Sequence, residues 1–204
     1  MKIKDNRSKM DKAKKMMKEL NNYTIQIGIF ADDDSFIQMI AGVHEFGLTI
    51  FPKNARYLTV PLAPEFVGKS AGMVPGLFFH TAATGNRFLV RSDGNSGLEF
   101  AYMLMDSVNV PERSFIRSTF DEKEKEWSEL FSKLVTDEIL KGGSLISVFD
   151  KIGAKIASDI QDTMRDLKDP PKQRSTKAAA PNKSNPLIQT GRMRQSVTWK
   201  VVRK

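Results

Sequence analysis

Three consecutive carboxylates, Asp32-Asp33-Asp34, and two histidines, His44 and His80, carry side chains able to ligate a metal or move a proton. Neither group completes a site by its spacing. Asp32 to Asp34 stand just before an amphipathic run, where carboxylates accept from the free N–H groups of a helix start. That assignment outweighs a metal site. His44-Glu45 is not followed by the second histidine that a helical zinc-protease motif needs. Gly68-Lys69 has the wrong spacing for a phosphate-binding loop, no dinucleotide fingerprint is present, and no serine sits in a nucleophile elbow. The run Asp121-Glu122-Lys123-Glu124-Lys125-Glu126 mixes charges as a solvated helix surface does. The absence of cysteine excludes disulfides, thiol catalysis and Cys-based zinc sites, and fits a reducing cytoplasm. The expectation is a chain with no catalytic, cofactor-binding or metal residues, and not an enzyme.

Three other constellations remain. His44-Glu45-Phe46-Gly47 ends a helical pattern. It reads either as a C-cap with Phe46 packed inward or as a polar pair positioned at an interface. Val110-Pro111-Glu112-Arg113-Ser114-Phe115-Ile116-Arg117 opens a long helix. Pro111 fixes an extended approach, Ser114 can cap, and Phe115 and Ile116 anchor. Arg113 and Arg117, four apart, fall on one helical face near its start, where a cation opposes the helix dipole and calls for a carboxylate partner. Pro186 to Val197 combines an apolar lead-in, a Thr190-Gly191 turn and a short basic helix holding Arg192 and Arg194. Its Met193 and Val197 are expected to face a core.

These residues need elements to hold them. Met10, Ala13, Met17 and Leu20 recur with helical spacing over residues 1–20. Tyr23 to Phe30 alternates as a half-buried strand. Ser35 to Phe46 reads as a helix with Phe36, Ile40, Val43 and Phe46 inward. Residues 51–110 are β-rich, with strands expected at Tyr57–Leu62, Leu77–His80, Arg87–Arg91 and Leu98–Met105. Pro61 marks an edge strand and Asp93–Gly97 a hairpin turn. Tyr102 to Met105 is apolar on both faces, as a central strand is. Two long amphipathic helices follow, joined at Gly142-Gly143, with Ser144 capping the second and Asp169-Pro170-Pro171 ending it. Val197 to Val202 alternates as a last strand, which is expected to join the sheet begun by Tyr23 to Phe30. Trp199 alternates with valines there, as a core residue does.

The charge is uneven. Residues 168–204 hold ten Lys/Arg and one acidic residue, while the preceding 167 hold 22 basic and 23 acidic ones. Residues 168–185 are polar and basic, with little to bury, and read as a flexible loop. Lys172, Arg174, Lys177 and Lys183 in it, with Arg113, Arg117, Arg192 and Arg194, are the candidates for meeting a neighbour or a polyanion. A solvated linker is the plainer alternative. No stretch has the length of a membrane span or the pattern of a signal peptide. A soluble protein made in the cytoplasm, with no membrane partner, is expected.

Taken in order, the His-Glu-Phe-Gly turn, Pro-Glu-Arg-Ser-Phe-Ile-Arg and Leu-Ile-Gln-Thr-Gly-Arg-Met-Arg-Gln-Ser-Val resemble the head–tail joining and tail-completion (neck) proteins of long-tailed bacteriophages. The likeness runs from Ile25 to Val201. Residues 51–109 stand where shorter members have a loop, and the usual Pro-Ala-Arg-Pro is here Pro-Glu-Arg-Ser. The resemblance implies an α+β fold: a small, mostly antiparallel sheet packed against two long helices. To this the chain would add a β-rich insertion and a flexible basic loop before a closing helix-strand at residues 186–204, within one domain over 1–204. It implies a structural virion protein without enzymatic activity or cofactor. Such a protein would form a homo-oligomeric ring, usually of six copies, between head connector and tail terminator or tail tube, around DNA. Alternatives are a tail terminator or minor capsid component, and a non-specific DNA-binding module using the basic C-terminus with Trp199 stacking on bases.

Overall fold

Residues 7–172, 184–188 and 190–204 are described by this computed structural model, an α+β chain. It divides into two compact units, each discontinuous in sequence.

The first unit comprises residues up to Ala41, then Ser114–Leu167 and Thr190–Lys204. Helix α1 (Arg7–Leu20) leads into strand β1 (Tyr23–Gly28), and α2 (Ala31–Phe46) begins here. The long helices are α3 (Ile116–Lys141) and α4 (Leu145–Asp166), followed by the short α5 (Arg192–Gln195) and the last strand, β8 (Thr198–Arg203). The turn between α3 and α4 follows from its residues. Gly142 adopts φ +70 at the end of α3, and the Ser144 hydroxyl accepts from Ile146 N at 3.3 Å. Antiparallel β1 and β8 pair from Tyr23↔Arg203 to Gly28↔Thr198, so the expected return of the last strand to Tyr23–Phe30 is observed.

The apolar stripe of α4 supplies the centre of this unit. Val148, Ile152, Ile160 and Met164 are each at most 3 % exposed. Each contributes about 1.5–3 kcal/mol relative to an exposed position. Met16 of α1, Leu145 and Phe149 of α4 form a cluster lined by Tyr23, Ile25, Phe131 and Val201, so α1, α3, α4 and both strands share one core. Polar contacts tie α3 to α4 inside it. Trp127 Nε1 donates to Asp159 Oδ2 at 2.8 Å, and Thr119 Oγ1 meets Thr163 Oγ1 at 2.7 Å. Lys155 completes the Asp159 site at 2.8 Å. Burial raises the Asp159 pKa, but these hydrogen bonds outweigh it and hold the carboxyl below its usual range.

Helix α2 differs from expectation in phase. Ile37 and Ala41 are its buried apolar residues, whereas Phe36 and Phe46 are 61 % and 65 % exposed. Asp34 has extended backbone (φ −164, ψ 94), and its Oδ1 accepts from Ile37 N at 3.1 Å, so the helix proper starts behind an aspartate cap as predicted.

The second unit comprises Gly42–Arg113 and Lys168–Gln189. It contains β2 (Leu48–Ile50), β3 (Leu58–Pro61), β4 (Phe78–Thr81), β5 (Arg87–Ser92), β6 (Leu98–Met105) and β7 (Val108–Val110). β3 to β6 make an antiparallel sheet in the order β3-β6-β5-β4, and β2 pairs with β7 separately. Pro61 lies on an edge strand and β6 is internal, both as read from sequence. Residues 93–97 make the expected hairpin turn. The Asp93 carboxylate accepts from Asn95 N and Gly97 N, both at 2.8 Å. One face of the sheet is closed by Phe66 and Val74 against Ala101 and Tyr102, whose hydroxyl donates to Lys69 O at 3.0 Å.

Candidate interface site

Two of the three constellations meet in the second unit. Gly47 follows α2 with φ +69, a left-handed backbone that glycine adopts without strain. A Cβ at this position would lie 2.9 Å from Glu112 N and 3.2 Å from Val110 O. The chain can therefore press the end of α2 directly against residues 110–113, and β2 then pairs with β7 from Leu48↔Val110 to Ile50↔Val108. Arg113 N donates to His44 O at 2.7 Å.

The Arg113 side chain extends this joint. Its Nε donates to Pro170 O at 2.7 Å and one terminal nitrogen to Pro171 O at 2.8 Å, while the other faces His44 Nδ1 at 3.5 Å. A planar fork with fixed donors suits two carbonyls set side by side. Burial, then the neighbouring Arg113 charge, depresses the His44 pKa, which favours the neutral ring that a guanidinium can approach. Glu45 and Lys172 are also buried, at 4 % and 7 % exposure, so three charged side chains of this unit are withdrawn from water.

Several site expectations change here. Arg113 precedes α3 instead of sharing a helical face with Arg117. It is 5 % exposed, and its partners are two proline carbonyls and a histidine in place of a carboxylate. It is therefore a clamp within the chain, not an outward contact. Lys172 is likewise buried instead of reaching outward. At the end of α2 it is Glu45, not Phe46, that turns inward, because the Ile37–Ala41 stripe continues at the next i+4 position. Phe115 is fully buried, as an anchor should be, and Arg117 is exposed on α3. Pro111, half-buried, directly precedes Glu112 and Arg113. Arg174, Lys177 and Lys183 lie outside the described residues.

The third constellation closes the first unit. Gly191 turns with φ +82, and Thr190 Oγ1 accepts from Arg192 N at 3.3 Å. Met193 and Val197 are buried as expected. Arg192 is not free for a neighbour, because it pairs with Asp34 at 2.6 Å. Lys200 reaches Asp32 at 3.2 Å and stands 4.3 Å from the centre of the Phe30 ring. The three carboxylates thus combine a helix cap with docking of the C-terminal segment. Arg194 is half-buried, and its Nε has no hydrogen-bond partner among the described residues. Trp199 lies on α4: a Cβ on Gly153 would be 2.4 Å from its ring, and its Nε1 donates to Asp150 at 3.2 Å. Trp199 is half-buried there, short of the core position expected.

His80 packs edge-on to Phe100, with ring centres 5.9 Å apart. Among the described residues, no group of three or more metal-ligating side chains converges. What sequence reading missed is an exposed apolar segment: Phe46, Leu48, Ile50 and Phe51 are each between 38 % and 65 % exposed. The signal was there in the alternation of Phe46, Leu48 and Ile50 with Gly47 and Thr49, but β2 is only three residues long. No helix among the described residues is long and apolar enough to cross a membrane.

Fold and site together define an α+β protein whose sequence motifs sit at structural joints. Compared with models of known families, with curated proteins and with solved structures, the chain matches none of them.

Proposed function

We propose that this chain is a structural subunit of a bacteriophage neck, a tail-completion or head–tail connector protein that assembles into a ring of six copies around the DNA channel. It would act in the virion after synthesis in the host cytoplasm, contact connector and terminator or tail-tube proteins, and catalyse no reaction. One observation carries the reading. Each segment bearing the resemblance is a joint of the fold: His44–Gly47 packs on Val110–Arg113, and Pro186–Val197 leads into the strand that closes β1. A sheet with two long helices is also the fold that the resemblance implies. The exposed Phe46, Leu48, Ile50 and Phe51 supply apolar surface of the kind a subunit interface covers. A head-to-tail ring needs two different complementary patches on each copy.

Native mass spectrometry and negative-stain microscopy of the purified chain, alone and with tail tubes, test this. Rings of defined copy number, or capping of tube ends, are the expected result. A chain that stays monomeric and leaves tube ends bare overturns it. A terminator role predicts capping of tubes; a connector role predicts binding to the head vertex.

A further inference from the structure

The two ends of the chain make a second charged region, separate from residues 168–185. Residues 1–20 hold eight Lys/Arg and three acidic residues, whereas residues 21–167 hold 14 and 20. The fold brings the exit of α1 to the end of β8. Asn22 N donates to Glu19 O at 2.9 Å, fixing the exit from α1. Lys204 N donates to Asn22 O at 2.8 Å, and Arg203 stands opposite Tyr23 in the β1–β8 pair. A helical rise of about 1.5 Å per residue places Lys14, Lys15 and Lys18 within roughly 12 Å of Asn22 along the axis.

Many of the other cations of this unit are paired, although Lys125, Lys133 and Lys141 of α3 are exposed without an ion pair among the described residues. Lys123, Lys151, Lys155, Arg165, Arg192 and Lys200 all pair with carboxylates. Lys14, Lys15, Lys18, Arg203 and Lys204 are exposed and have no ion-pair partner among the described residues. Five cations without an ion-pair partner among the described residues, outnumbering Asp11 and Glu19 beside them on α1, raise a positive potential that a polyanion lowers.

We infer that the lysine face of α1 and the end of β8 form one binding surface for the phosphate backbone of double-stranded DNA. A membrane surface fits less well. An interfacial helix needs an apolar face to insert. Here that face is committed to the core through Met16 and Leu20, leaving only Met10 and Met17 exposed among the described apolar side chains of α1. Lysines, which dominate the surface, meet phosphates as point charges, so the recognition inferred is of charge and not of sequence. This goes beyond the neck reading and does not require it, because a monomer already presents the whole surface.

The test is fluorescence anisotropy of a labelled 30-base-pair duplex titrated with the full-length chain at several salt concentrations. Each phosphate contact contributes about 0.9 to the slope of log affinity against log salt. Lys14→Gln/Lys15→Gln/Lys18→Gln is expected to weaken binding at low salt at least tenfold and to flatten the slope by about 2–3. Arg203→Gln/Lys204→Gln should flatten it by about 1–2. A triple change of equal charge on α3, Lys123→Gln/Lys125→Gln/Lys133→Gln, should leave the slope unchanged. All are surface changes, and circular dichroism verifies the fold. Equal loss in the α3 control, an unaltered slope in the α1 variant, or binding to phosphatidylserine vesicles but not to DNA would each overturn the proposal. Because the readout is monomer binding to DNA, absence of rings leaves it intact.

Discussion

Gly153→Ala sets two opposed effects against each other at the joint between α4 and the last strand. In a helix interior, alanine is favoured over glycine by about 1 kcal/mol. Propensity alone therefore predicts a more stable protein. The structure predicts the reverse. The new Cβ would sit 2.4 Å from Trp199 Cδ1 and 2.5 Å from Cγ, well inside contact distance. The ring cannot easily retreat. Its Nε1 is bonded to Asp150 on the same helix, and its backbone is registered against Ile27 in the β1–β8 pair. Overpacking of this kind costs typically 1–3 kcal/mol, and overlap at the base of an indole belongs at the upper end. The net expectation is a loss of about 1–2 kcal/mol from the first unit. With a urea dependence of about 1–3 kcal/mol per molar, the midpoint should fall by roughly 0.5–1 M. Equilibrium unfolding followed by far-ultraviolet circular dichroism and by tryptophan emission measures it. Adding Trp199→Ala should then make Gly153→Ala stabilising, since the obstruction is gone and the propensity remains. A Gly153→Ala protein as stable as the parent, or a double variant showing no such reversal, would refute the packing of Trp199 on α4.

Three other changes probe the second unit. Gly47→Ala should cost at least 1 kcal/mol more than Gly85→Ala in thermal unfolding: both glycines have positive φ, but only Gly47 has backbone within reach of the added Cβ. Arg113→Met, which deletes two charge-assisted bonds to Pro170 and Pro171, should destabilise this unit by about 2–3 kcal/mol in urea unfolding. Arg113→Lys should recover less than half, having no planar fork. The depressed pKa of His44 gives a pH dependence of definite sign. The unfolded chain takes up a proton near the ordinary value of 6.5, while the folded ring resists it. Its contribution is therefore full above pH 6.5 and declines as pH falls toward the folded value, and His44→Gln should flatten that part of the stability profile between pH 7.5 and 5.

The β1–β8 pairing was legible because both segments alternate cleanly. The long helices were legible from their stripes, and the α3–α4 turn from Gly142 and Ser144. The face of α2 was not. Phe36, Ile37, Met39 and Ile40 place apolar side chains on adjacent positions, so periodicity alone cannot choose between Phe36–Ile40 and Ile37–Ala41; the choice belongs to what packs against them. Arg113 was misread for a related reason. Its partners are carbonyls 57 and 58 residues away, and backbone carbonyls leave no mark in a residue pattern. Charge in the C-terminal segment was equally ambiguous, because Arg192 and Lys200 find their carboxylates more than 150 residues earlier.

The pairing of β1 with β8 imposes an order on biosynthesis. Tyr23 leaves the ribosome 180 residues (203 − 23) before its partner Arg203. At about 5–20 residues per second, the first strand waits on the order of ten to thirty seconds for the last. During that interval β2 to β7 have all emerged and can pair among themselves, while α3 and α4 expose the surface that β1 and β8 will share. The second unit is therefore fully synthesised before the first can close. A truncation of even the final six residues would leave the earliest strand permanently without its mate.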